Sequence, residues 1–248
     1  MRDGADPNGS GRAGSRAMSK KFKGKICVYC GERQSASADH VFAREFFLDH
    51  ERADLPKVPA CDPCNLKKSK LEHYLMAILP FGGKHEQALR NLTDMVPKRL
   101  AKNAKTLRGL REGRHVITVR GKAHSVVPVE SDSLEQLFAM IARGLTWDEW
   151  KTLLPPDITV ETAILTSQVE ALYSELFSVP GTNRCERRLA GNTFSYQGVQ
   201  QKALPLITAW RFHVYGGLEL TGDPEAPDEV VSQILVITGI KNALATSG

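Results

Sequence analysis

Residues 27–30 read CVYC, residues 38–42 read ADHVF and residues 61–68 read CDPCNLKK, and how the remainder of the chain folds turns on these three pieces. Two Cys-x-x-Cys pairs thirty residues apart can supply four thiolates to one tetrahedral ion, so Cys27, Cys30, Cys61 and Cys64 are candidate ligands of a structural Zn²⁺. A cation held that way ties the chain before the Asp39-His40 pair to the chain after it. Ile26, Val28 and Tyr29 bracket the first pair as a short β-ribbon would, and Gly31 permits the positive φ that closes such a turn. Val41 and Phe42 are strand formers, so Asp39 and His40 open a short strand. Neighbours on a strand point to opposite faces, and a bend or bulge is needed before the carboxylate and the imidazole can serve one site. Asp62-Pro63 then opens a helix that carries Leu66, Leu71, Leu75, Ile78 and Leu79 and stops at Pro80-Phe81-Gly82-Gly83.

Working outward, residues 1–21 are rich in Gly, Ser, Ala and Arg without hydrophobic period and read as a disordered basic tail. From Lys84 to Lys122 there are eleven Lys and Arg against three carboxylates, a local excess of eight in a chain whose net charge is only +5. Such concentration points to a polyanion, with a solvated helix face as the plain alternative. Glu86 to Gly109 reads as helical with a break at Pro97, placing Lys98, Lys102, Lys105 and Arg108 on its polar side as candidate phosphate contacts. Residues 115–119 and 125–129 look like two strands around Arg120-Gly121-Lys122. Ser133-Leu134-Glu135-Gln136 resembles a capping box, Trp147–Leu154 a further short helix and Thr162–Phe177 another. Beyond Pro180-Gly181, β-branched and aromatic residues with Gly punctuation read as antiparallel sheet over 181–248. There, Trp210, Phe212 and Tyr215 alternate with Arg211 and His213, the pattern of a half-buried strand in preference to a base-stacking ribbon.

The 248 residues therefore divide into a tail (1–21), a cysteine module (22–83) and an α+β remainder (84–248). Hydrophobic residues make up 42% and charged residues 25% of the chain, the composition of an ordinary globular protein. No apolar run reaches the roughly 18 residues of a membrane span. With no secretory leader and with cysteines paired for metal, the expected location is cytoplasmic. Cys185 is left over and reads as a buried free thiol.

The combination of ADH with CDPCN resembles the HNH, or ββα-metal, endonucleases, particularly their four-cysteine zinc-containing members, over roughly residues 24–80. The resemblance implies an N-terminal ββα-metal motif, which the residue pattern then follows with helices and a C-terminal antiparallel sheet, and it implies phosphodiester hydrolysis of DNA, or of RNA, with one catalytic Mg²⁺ or Mn²⁺. Carried onto this sequence, Asp39 would be a ligand of that cation, His40 the general base for the attacking water and Asn65 a second ligand. Oxygen donors suit Mg²⁺, and a positioned base contributes about 10²–10⁴-fold. Lys68, three residues after Asn65, would clamp a phosphate, while Glu72 and His73 read mainly as structural. The central Asn that such proteins usually carry before the second cysteine pair is replaced by LPKVPA, with Asp54 the nearest polar residue. A homodimer would suit cutting of both strands, although no heptad points to one. The same four cysteines also serve a zinc-ribbon module that binds nucleic acid or protein without cutting.

Overall fold

The computed structural model describes residues 21–83, 85–119, 121–191, 193–218 and 231–239. The 1–20 tail, Lys84 and Arg120 thus lie outside the described residues. Behind the first cysteine pair, Cys27 N donates to Arg33 O and Gly31 N to Cys27 O, which closes a knuckle. Strand β1 (Ser37–His40) pairs antiparallel with β2 (Lys57–Ala60), Asp39 opposite Val58 and His40 opposite Lys57. The knuckle joins this ladder through Val28 N to Pro59 O at 3.1 Å. Helix α1 (Asp62–Ile78) starts directly after Cys61, with Pro63 in its first turn, where a missing N–H costs nothing.

Three helices succeed it: α2 (Glu86–Asp94), α3 (Val96–Ala101) and α4 (Ala104–Gly113). Pro97 sits in the first turn of α3 and so marks the break expected there. Strands β3 (His115–Val119) and β4 (Lys122–Val126) form a hairpin. The second strand begins three residues before the expected 125–129, because a two-residue link with Gly121 at φ 76° turns the chain at once. Helix α5 (Ser131–Trp150) runs unbroken for 20 residues and absorbs Trp147 to Trp150 of the expected second helix, ending at Lys151 in the left-handed region (φ 54°). Ser133 does not cap it: the helix starts two residues earlier, and the hydroxyl donates to the Glu130 carboxylate.

The helix expected over 162–177 begins five residues late, because 162–166 belong to a strand. Thr159–Thr166 forms β5, and only Ser167–Ser174 (α6) is helical, followed by a tight turn at Glu175–Ser178. The segment TVETAILT is rich in β-branched residues, and its pairing with a distant strand outweighs the weak helical signal. Strands β6 (Thr182–Leu189), β7 (Phe194–Gln201), β8 (Thr208–Val214) and β9 (Val231–Gly239) complete an antiparallel sheet in the order β5-β9-β8-β7-β6. The expected C-terminal sheet is thus present and gains β5 from outside the 181–248 span.

One hydrophobic core crosses the position near Gly83 where the sequence suggests a boundary. Phe42, Phe46 and Phe47, all fully buried in the excursion between β1 and β2, surround Phe194 of β7 with ring centroids 4.8, 5.6 and 6.4 Å away. Burying each such ring contributes about 1.5–3 kcal/mol. Helix α5 lies between module and sheet: Gly144 sits under Val41 and Tyr29, while Phe138 meets Phe212 at 5.2 Å and the Trp210 indole donates to Thr146 Oγ1 at 3.1 Å. Trp210 and Phe212 face this core and Arg211 and His213 the other side of the sheet, as their alternation requires. No helix among the described residues is long and apolar enough to cross a membrane.

Candidate functional site

The knuckle and the start of α1 bring Cys27, Cys30, Cys61 and Cys64 together, with all four sulfurs within 4.8 Å of one another and Cys30 Sγ 3.9 Å from Cys61 Sγ. A tetrahedron of Zn–S bonds near 2.3 Å has sulfurs about 3.8 Å apart, so the cluster has the size and the soft donor set of a structural zinc site. Cys30, though burial opposes it, is brought down to about 7 by the backbone N–H groups of Arg33 and Glu32. Burial pushes the Cys64 thiol up, and its sulfur neighbours add to that shift.

Two contacts of this cluster lie far along the chain, out of reach of the local sequence. Gly31, at φ 71°, sits so close to the loop after α5 that a Cβ there would lie 2.8 Å from Leu154 O. In the same loop Arg143 of α5 donates to Leu154 O and Pro155 O, both at 3.1 Å. Burial lowers its pKa, and the charges of Cys30, Cys64 and Cys27 raise it, so the guanidinium is electrostatically coupled to the sulfur cluster.

Beside the thiols, the inner flank of α1 carries a buried charge cluster. Asn65, Lys68 and Glu72 share that flank at spacings of three and four residues. Lys68, expected as a phosphate clamp at the surface, is only 1% exposed. Its ammonium stands 3.1 Å from Asp39 Oδ2, donates to His40 O at 2.8 Å and to Glu72 Oε1, and is thereby withdrawn from any phosphate. Tyr29 Oη donates to the same Asp39 oxygen at 2.7 Å. Burial raises the Glu72 carboxyl to about 7 in spite of Lys68, with Asp39 and Glu45 adding to the rise.

Asp39 thus reaches the α1 flank as expected, with one oxygen engaged and Oδ1 without a hydrogen bond among the described residues. His40 ends β1, and no bulge interrupts the β1–β2 ladder, so the two side chains leave on opposite faces where the sequence reading asked for a bend. The imidazole is half-buried and makes no hydrogen bond among the described residues. Burial, then the Lys57 charge across the ladder, brings it down to about 4 against the pull of Asp39, which leaves it neutral at pH 7 and a weaker base than a free imidazole. Asn65 is half-buried near the start of α1, and its amide likewise makes no hydrogen bond among the described residues.

The tie expected from a central Asn comes from elsewhere. Asp54 is exposed at φ 57°, and the excursion is anchored instead by Arg52 Nε donating to Phe47 O and by Asn91 Nδ2 and Tyr215 Oη donating to Phe46 O. Asn91 on α2 is fully buried. It is the residue that sequence reasoning missed, since nothing near position 91 reveals a partner at Phe46.

Of the basic block, Lys98, Lys102, Lys105 and Arg108 are exposed and make no hydrogen bond or ion pair through their side chains among the described residues. Arg99 is spent on Met76 O and Glu45 O, and Arg90 on Glu86. The chain matches no protein-family model, and neither the curated proteins nor the solved structures compared with it contain a match.

Proposed function

We propose that the chain is a divalent-metal-dependent endonuclease of the HNH type that hydrolyses phosphodiester bonds of DNA, built around a structural zinc held by four cysteines. The observation that carries this reading is an arrangement: an antiparallel strand pair and the helix that follows it meet at four clustered thiols, with Asp39 turned toward that helix and His40 next to it in the chain on the other face of β1. Asp39 Oδ1 and the Asn65 amide oxygen are the hard donors that would hold Mg²⁺ or Mn²⁺. Such a cation supplies Lewis-acid polarisation of a phosphate. His40 takes the proton of the attacking water, and the exposed Lys98, Lys102, Lys105 and Arg108 hold the nucleic-acid backbone.

A second reading has its own observation. Tyr29 and Lys68 already occupy one Asp39 oxygen, as they would in a non-catalytic zinc module whose Asp39 and His40 are structural. A nicking assay on supercoiled plasmid with Mg²⁺ or Mn²⁺ separates the two. The nuclease reading expects nicking by the wild type and a loss of about 100-fold or more in His40→Ala, in line with about 10²–10⁴-fold for a positioned base. Inactivity of the zinc-loaded wild type on supercoiled, linear and single-stranded DNA would leave the binding module.

A further inference from the structure

We infer that the groove behind α1 binds an unpaired stretch of nucleic acid, a substrate form that the proposed function leaves open; the inference rests on that reading only for its class of partner. The groove encloses about 1110 Å³ between the outer flank of α1, helices α3 and α4, and residues 128–133. A groove of this size, open along one side, can admit a stretch of polymer as well as a small molecule.

Lys70, Lys98, Lys102 and Lys105 stand on its rim, all exposed and none with a side-chain partner among the described residues. Glu45 and Glu130 are the carboxylates that face them. The rim therefore offers unspent cations at intervals, which a polyanion satisfies. Its floor is different. Leu71, Leu110 and Val129 line it with the half-buried ring of Tyr74, whose hydroxyl accepts the Glu130 backbone N–H at 2.9 Å and so fixes the ring in place.

Cations at the rim over an apolar and aromatic floor match a strand whose phosphates lie outward and whose bases face inward. A duplex keeps its base faces stacked within the helix and offers that floor nothing. The groove lies on the opposite flank of α1 from Asp39: at about 100° per residue, Lys70 and Tyr74 each stand some 160° round the helix from Lys68 and Glu72 respectively. A strand held there approaches the Asp39 side only by passing around α1, so gripping and any cutting draw on different stretches of one strand.

The test uses the full chain with zinc retained, in the His40→Ala background without added magnesium or chelator, so that binding is read apart from cleavage. Fluorescence anisotropy compares an oligothymidylate of about 20 nucleotides with a mixed-sequence duplex of equal length, using polyglutamate as a competing polyanion. The single strand is expected to bind at least about tenfold tighter than the duplex and to resist polyglutamate. Lys98→Ala/Lys102→Ala/Lys105→Ala should weaken it about tenfold or more and reduce the slope of log K on log salt by about 2, near 0.7 per lost phosphate contact. Tyr74→Leu should weaken it about tenfold with the slope unchanged, the loss of one stacked base at about 1–3 kcal/mol. Equal or tighter duplex binding, ready displacement by polyglutamate, or an unchanged salt slope in a folded triple variant would overturn the inference. Single-strand binding by a wild type that never cuts would overturn the nuclease reading alone.

Discussion

Lys68 and Lys70 stand two residues apart on one helix and lead opposite lives. Lys68 is buried among Asp39, Glu72 and the His40 carbonyl, while Lys70 is exposed on the groove rim with no side-chain partner among the described residues. In the string NLKKSK nothing separates them; only the phase of the helix does. The inner flank spends its charges on holding β1 to α1, and the outer flank keeps its charges available. A local count of basic residues adds both kinds together, so burial has to be settled before charge is read as an interface.

The strongest challenge to this contrast is disruption of the thiol cluster. Apparent binding energies of structural zinc in small peptides are on the order of 10 kcal/mol. Cys61→Ser or a zinc chelator should therefore sharply raise hydrogen exchange over residues 25–60 and less so in α3 and α4. Uniform or absent changes would mean that the thiols do not organise the inner flank. Lysine replacement comes next. Lys68→Met strands two carboxylates in the interior and should cost about 3–5 kcal/mol, whereas Lys70→Met should stay within about 0.5 kcal/mol. By calorimetry the first corresponds to a fall in Tm of roughly 6–20 °C. Similar shifts for both variants would erase the distinction between the flanks.

The smallest effect is one of pH. Glu72 shares a single ammonium with Asp39, and its folded-state pKa of about 7 lies above the ordinary 4.5. A group raised in the folded state contributes its stability fully below about pH 4.5 and loses it as pH climbs through about 7. Unfolding free energy should fall across that window by no more than about 3 kcal/mol, and Glu72→Gln should flatten the fall in denaturant titrations. A slope that persists in the variant would assign the titration to another group.

What the sequence announces here is what acts over short range. Paired cysteines, a proline in the first turn of α1 and the alternation of Trp210 with Arg211 are local rules, and each element stands where they place it. The features that escaped depend on partners far along the chain. Thr159–Thr166 is a strand because β9 lies beside it, more than sixty residues on. Asn91 matters because Phe46 O reaches it, and Lys68 is buried because Tyr29 and Asp39 close over it. The cysteine cluster was legible as spacing. The part proposed to be hydrolytic was legible only as residue types, because whether Asp39 and His40 converge depends on the path of β1 and not on their adjacency.

Gly31 carries a last consequence. Lacking a side chain, it lets the first cysteine pair settle onto the Leu154 carbonyl, a support supplied more than a hundred residues downstream. Phe42 and Phe46 likewise find their neighbours in β7. A polypeptide truncated after Gly83 would keep every thiol of the cluster yet open that aromatic surface to water, so the smallest piece fit for handling in isolation extends through the sheet.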